Sequence, residues 1–111
     1  MSQPFEELAS LDKLVHEPAR LAVLTALSAA GSADFVFLQR LTGLNKGTLS
    51  SHLSKLEEAG MVQITKQFRG KTPNTAVQLT NAGQTAIDQH WQRINALHEA
   101  ARHWRPDEKK P

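Results

Sequence analysis

The sequence predicts a mainly α (α+β) domain, a winged helix-turn-helix with a two-stranded β-hairpin wing and additional N- and C-terminal helices. Three observations carry this. Four segments in the first sixty residues place apolar side chains at helical spacing, bounded by caps or glycines. The period then changes to two across Val62–Ile64 and Val77–Leu79, either side of the turn-rich stretch Arg69-Gly70-Lys71-Thr72-Pro73-Asn74. A long helical period closes the chain. Short helices joined by a glycine-containing turn and followed by a hairpin have this topology.

Taken in order, Phe5, Leu8, Leu11 (or Asp12) and Val15 space a first helix over roughly 5–15. Glu17-Pro18 opens a second, because proline at the first helical position sacrifices no internal hydrogen bond. Leu21, Leu24 and Leu27 share one of its faces, and Gly31 stops it. Asp34 caps a short third helix with Phe35, Leu38 and Leu41 on one side, ended by Gly43. Asn45 caps the fourth, which runs to Ala59 with Leu49, Leu53 and Leu56 as its buried stripe, and Gly60 terminates it. A hairpin alone is marginal, so Val62, Ile64, Val77 and Leu79 must pack on the helices. Thr80 or Asn81 caps the last helix, which extends to about Trp104 before a polar tail. The expected organisation is an N-terminal helix in 1–16, a winged helix-turn-helix core in 17–79, a C-terminal helix in 80–105 and a tail in 106–111.

Composition excludes several classes. The 111 residues hold no cysteine, which removes disulfide scaffolds, thiolate metal sites and cysteine nucleophiles and fits a reducing cytoplasm. Apolar runs reach four residues, far below the roughly 18–20 of a membrane helix, so no membrane association is expected. Glu6 and Glu7 occupy the place of a basic signal-peptide region. The net charge of +2 is weak by itself, but its distribution is uneven. Residues 1–35 carry Lys13 and Arg20 against five acids, a net −3, whereas 36–79 carry six bases against Glu57 and Glu58, a net +4. Function is therefore sought in the middle third.

There, the Asn45–Ala59 helix keeps its leucines inward. Lys46, Gly47, Thr48, Ser50, Ser51, Ser54 and Lys55 are left to face outward or flank. Small hydroxyls and lysines suit a helix lying in a major groove, since they permit close approach and bond phosphates and base edges. Gly47 lets the backbone near a phosphate, which the helix N-terminus also attracts. In the hairpin, Lys66, Arg69, Gly70, Lys71 and Thr72 form a basic tip, with Arg69 the candidate for a narrow minor groove. The plainer account of these residues is a solvated helix face and a solvated turn.

The run Thr48-Leu49-Ser50-Ser51-His52-Leu53-Ser54-Lys55-Leu56-Glu57-Glu58-Ala59-Gly60-Met61-Val62 resembles the recognition-helix signature of the ArsR and MarR winged-helix families. Val77-Gln78-Leu79-Thr80-Asn81-Ala82-Gly83 is similar to the MarR strand-to-helix junction. Stand-alone winged-helix regulators share the pattern seen in Asp34-Phe35-Val36-Phe37-Leu38, Gly43 to Leu49 and Lys66 to Lys71, so the resemblance spans about residues 11–95. It implies a DNA-binding transcriptional regulator in which Thr48, Ser50, Ser51 and His52 fall where these families contact DNA. For His52 the alternative is a helix-boundary histidine bonded to backbone. The sequence departs from the MarR Asp-x-Arg wing motif, having Arg69-Gly70-Lys71 instead.

The last helix spaces Ile87, Trp91, Ile94, Leu97, Ala101 and Trp104 by 4, 3, 3, 4 and 3, a seam that wants a partner. A homodimer is the symmetric solution, with Phe5, Leu8 and Leu11 completing the interface. Asp88-Gln89-His90 matches half of the zinc site of some ArsR relatives. The other half fails at His98-Glu99, so neither metal nor cofactor is expected. No catalytic motif occurs, and adjacent Glu57 and Glu58 point apart on their helix. The expectation is a cytoplasmic homodimer, acting as a repressor on a pseudo-palindromic double-stranded operator. A small-molecule effector, if there is one, would lie between the terminal helices near Trp91. The rival readings are a winged-helix module that docks a protein instead of DNA, and a metal- or ligand-responsive sensor.

Overall fold

A computed structural model describes residues 3–106. The order is α1 (Pro4–Ala9), α2 (Pro18–Ala30), β1 (Ser32–Asp34), α3 (Phe35–Thr42), α4 (Lys46–Glu58), β2 (Val62–Arg69), β3 (Thr72–Leu79) and α5 (Asn81–Arg102). Side chains at the expected positions cap the helices. Glu17 Oε1 accepts from the Arg20 amide at 2.8 Å, Asp34 Oδ1 from Phe37 at 2.8 Å, and Asn45 Oδ1 from Thr48 at 2.8 Å. Thr80 Oγ1 accepts from the Gly83 amide at 3.0 Å and donates to the Gly60 carbonyl at 2.7 Å. One hydroxyl thus caps α5 and ties it to the end of α4.

The core joins Val23, Leu24 and Leu27 of α2, Leu38 of α3, Leu49, Leu53 and Leu56 of α4, Val62 and Val77 of the sheet, and Ile87 of α5. α4 lies against β2, and the Glu57 carboxylate accepts from the Ile64 amide at 3.0 Å, which fixes where the hairpin leaves the helix. At the start of α5, Gly83 is required by close approach: an added Cβ would overlap the Met61 carbonyl oxygen.

Four expectations need correction. The first helix stops at Ala9 instead of continuing to Val15, because Asp12 Oδ1 takes the Leu14 amide at 2.9 Å and closes a turn that competes with helix. A third strand, β1, was not expected; it pairs antiparallel with β3 (Ala33 opposite Val77), giving the sheet order β1-β3-β2. The turn of the hairpin is only Gly70-Lys71, with Arg69 opposite Thr72, so Thr72, Pro73 and Asn74 are strand. Gly70 has φ 62°, the first-position requirement of a type II′ hairpin turn. Pro73 is tolerated because β1 reaches only Ala76, leaving the outer edge of β3 unpaired there. Leu41 is not on the packed side of α3 but 52% exposed, beside Val36 and Phe37, which are also exposed. Of the polar tail expected in 106–111, residues 107–111 lie outside the described residues.

α1 packs on the far half of α5. Phe5 and Trp104 meet edge to face at 5.5 Å, Trp104 Nε1 donates to Gln3 Oε1 at 3.0 Å, and Arg93 pairs with Glu7 at 3.6 Å. The expected dimer seam is therefore partly consumed inside the chain. Ile87 is 1% exposed within the main core, and Leu11 and Leu97 are each 7% exposed. These three are at variance with an interface role. Phe5 and Trp91 remain exposed, and Leu8, Ile94 and Trp104 are partly buried.

Candidate nucleic-acid interface

α4 has three flanks. The leucine stripe faces the core. The outermost ridge carries Gly47, Ser50, Ser51, Ser54 and Lys55, all exposed, with Lys46 and Asn45 exposed at its start and Thr48 partly buried. No side chain bulkier than a serine stands on this ridge between the two lysines, so a surface can approach the backbone. Asn45 spends its carbonyl oxygen on the helix cap, which orders the first turn where Lys46, Gly47 and Thr48 sit.

Between α4 and the wing runs a cleft of about 580 Å³, lined by Lys46, Ser50 and Ser54 on one wall and by Lys66, Pro73 and Thr75 on the other. Asn74 also lines it, and its side-chain amide nitrogen is buried with no hydrogen-bond acceptor among the described residues. Glu57 lines it too, with one carboxylate oxygen taken by the Ile64 amide, so the two ammonium groups outnumber the one carboxylate and, with the orphaned amide donor, suit an acceptor-rich, anionic occupant. At the distal end of the wing Arg69, Gly70, Lys71 and Thr72 are all exposed, and so is Phe68, to which sequence reasoning assigned no role. A signal existed, since Phe68 falls on the apolar phase of β2 with Val62 and Ile64 but past the part of the strand that packs on helices.

His52 behaves differently from its neighbours. Its ring lies on the opposite flank of α4, with a side chain 16% exposed, and Nδ1 is 3.0 Å from the Arg20 guanidinium and 3.9 Å from Glu17. Arg20, only 9% exposed, also donates to the Leu14 carbonyl at 2.6 Å and the Lys13 carbonyl at 3.1 Å. With Arg20 donating, Nδ1 acts as the acceptor, so His52 joins α4 to the start of α2 and to the turn before it. This corrects its assignment as a DNA contact: the ring is turned inward, and its partner is a buried guanidinium, not backbone. Burial pushes the Glu17 carboxyl up, but the Arg20 amide, His52 and the Arg20 charge outweigh it and hold it below its ordinary value.

The metal half-motif does not assemble. Asp88 is exposed and accepts from Gln84 at 3.1 Å, whereas His90 is 6% exposed and points at His16, ring nitrogens 3.0 Å apart. Among the described residues no group of three metal-ligating side chains comes together. Burial, and then the neighbouring His16, depress the His90 pKa below 6.5; Asp12 opposes them and Arg93 adds to them. At least one ring of this pair is neutral. No helix among the described residues is long and apolar enough to cross a membrane.

Comparison with known proteins agrees with the geometry. The family model described as "Winged helix DNA-binding domain" matches residues 19–98. An uncharacterised protein of Methanocaldococcus jannaschii is 30% identical over 85 residues, covering 77% of this chain and 92% of its own length. A transcriptional regulator homologue from Pyrococcus horikoshii OT3 superposes with a TM-score of 0.80 at 24% identity, over 88% of this chain and 96% of that one. A MarR-family transcriptional regulator from Silicibacter pomeroyi superposes with a TM-score of 0.63 at 24% identity, over 96% of this chain and 69% of that one. The winged-helix resemblance and the winged-helix fold class both agree with these matches.

Proposed function

Because the chain belongs to the winged helix DNA-binding domain family, we propose that it is a MarR-type transcriptional regulator that binds double-stranded DNA as a homodimer and acts as a repressor. The observation that carries this reading is the shared side of α4 and the wing. Lys46, Ser50 and Ser54 of α4 and Lys66 of the wing line one cleft, whose orphaned Asn74 amide also wants an acceptor, while Gly47, Ser51 and Lys55 of the ridge and Arg69 and Lys71 at the wing tip are exposed outside it. On this reading residues 17–79 handle DNA, while 1–16 and 80–105 join two copies.

Two α4 helices then enter successive major grooves about 34–36 Å apart on a pseudo-palindromic site. Each inserts its N-terminal half, and phosphates of the flanking strand lie along the cleft against Lys46 and Lys66. Ridge side chains this short read few bases by themselves. Most of the affinity is therefore electrostatic and falls steeply with salt. Any effector would act where α5 meets α2, near Trp91, whose indole donates to Thr25 at 3.1 Å.

The test is unbiased selection of bound duplexes by the purified protein, followed by titration of the selected site against salt. A linear log–log fall in affinity with a slope of several units is expected. A flat plot, or no enrichment of any sequence at low salt, overturns the reading in favour of a module that docks a protein.

A further inference from the structure

The wing carries an aromatic side chain that the contacts above leave unused. Phe68 is 71% exposed, more than any other large apolar residue described, and sits opposite Pro73, which is exposed as well. Alternation along β2 places it on the face of Val62, Ile64 and Lys66. Val62 is buried, and Ile64 and Lys66 line the cleft beside α4. Phe68 therefore continues the cleft-facing side of the wing about 13 Å past Ile64, where it stays largely exposed among the described residues.

Its surroundings restrict what can cover it. Residues 62–79 contain Lys66, Arg69 and Lys71 and no acidic residue. An apolar ring among three cations suits a partner that is polyanionic yet offers apolar crevices. A DNA minor groove has both, with phosphates along its rims and sugar faces and base edges between them. The ring is also continuous with the cleft already assigned to DNA.

We propose that Phe68 is a minor-groove contact residue, a wedge that packs on sugar and base edges while Arg69, leaving the opposite face of β2, reaches the groove's negative potential. This rests on the DNA-binding reading and adds to it a source of selectivity. A wedge favours pyrimidine–purine steps, which unstack most readily, so base preference extends to flanking positions that α4 never touches.

The probe is the duplex selected by the wild-type protein, bound by Phe68→Ala, Phe68→Leu and Arg69→Ala. Phe68→Ala weakens binding about tenfold with the salt slope unchanged, because no phosphate contact is lost. Phe68→Leu keeps part of the affinity. Arg69→Ala lowers the slope by about 0.9. With 2-aminopurine at the flanking step, fluorescence rises on binding of the wild type and not of Phe68→Ala. Equal unfolding midpoints for the Phe68 variants and the wild type exclude a folding defect.

If the wild type binds and Phe68→Ala matches it within about twofold, the wedge is overturned while the DNA reading stands. If the wild type binds no duplex, both fall. Loss by Phe68→Ala of binding to phosphatidylglycerol vesicles, with duplex binding intact, overturns the wedge in favour of a lipid surface.

Discussion

At the scale of single residues, the informative positions are those where chemistry and surroundings disagree with a surface reading. Gly83 is a glycine in the first turn of α5, a residue of low helix propensity, yet alanine would run into the Met61 carbonyl. Gly83→Ala is expected to lose about 1–3 kcal/mol, read as a lower urea midpoint, whereas an exposed helical glycine would gain stability on the same change. His90 sets a pH dependence. Its folded pKa lies below 6.5, so the unfolded chain takes up a proton first. Stability is then complete above that value and falls as pH drops through 6.5 towards the depressed folded value. Urea midpoints at about pH 8 and about pH 5.5 should differ in the wild type and differ less in His90→Gln. An equal drop in both would assign the dependence to other groups. The histidines were visible in the sequence as a count and a spacing. That His90 faces His16, and His52 faces Arg20, was not, because each partner lies more than thirty positions away.

At the scale of elements, caps and stripes were the legible part. Glu17-Pro18, Asp34, Asn45 and Thr80 open their helices as local chemistry dictates, since the group that caps and the amide that needs it are three residues apart. Asn45→Ala should cost about 1 kcal/mol and fray the turn that carries Lys46–Thr48, lowering both the urea midpoint and duplex affinity. An unchanged midpoint would show that the cap contributes nothing to α4. Two elements were misread for the same reason. Neither β1 nor the strand character of Thr72–Asn74 has a local signal. Three residues are too few for a period, and Pro73 argues against a strand until β1 is seen to stop short of it.

At the scale of the whole molecule, the long axis measures 69 Å against 25 and 21 Å across, and α5, at 22 residues, spans roughly 33 Å of it. The sequence offered a seam along the last helix, completed by Phe5, Leu8 and Leu11, as a dimer interface. Tertiary packing takes Leu11, Ile87 and Leu97 into the chain itself and sets Phe5 against Trp104. A smaller apolar set, with Trp91 and Phe5 exposed, remains on the surface. On the dimer reading, sedimentation equilibrium should return twice the chain mass, and Trp91→Glu should shift it towards one. A dimer indifferent to that change would have its interface elsewhere.

The sequence by itself determined the winged-helix order of elements, the helix starts, the basic middle third and the leucine stripe of α4. All of these depend on contacts within a few residues or on a periodicity that backbone geometry dictates. Tertiary structure alone decided which members of each set face inward. Periodicity names a face without naming what covers it. Only the packed chain shows His52 held by a guanidinium, the seam partly packed into the chain itself, a cleft with an orphaned amide, and Phe68 exposed at the end of the wing.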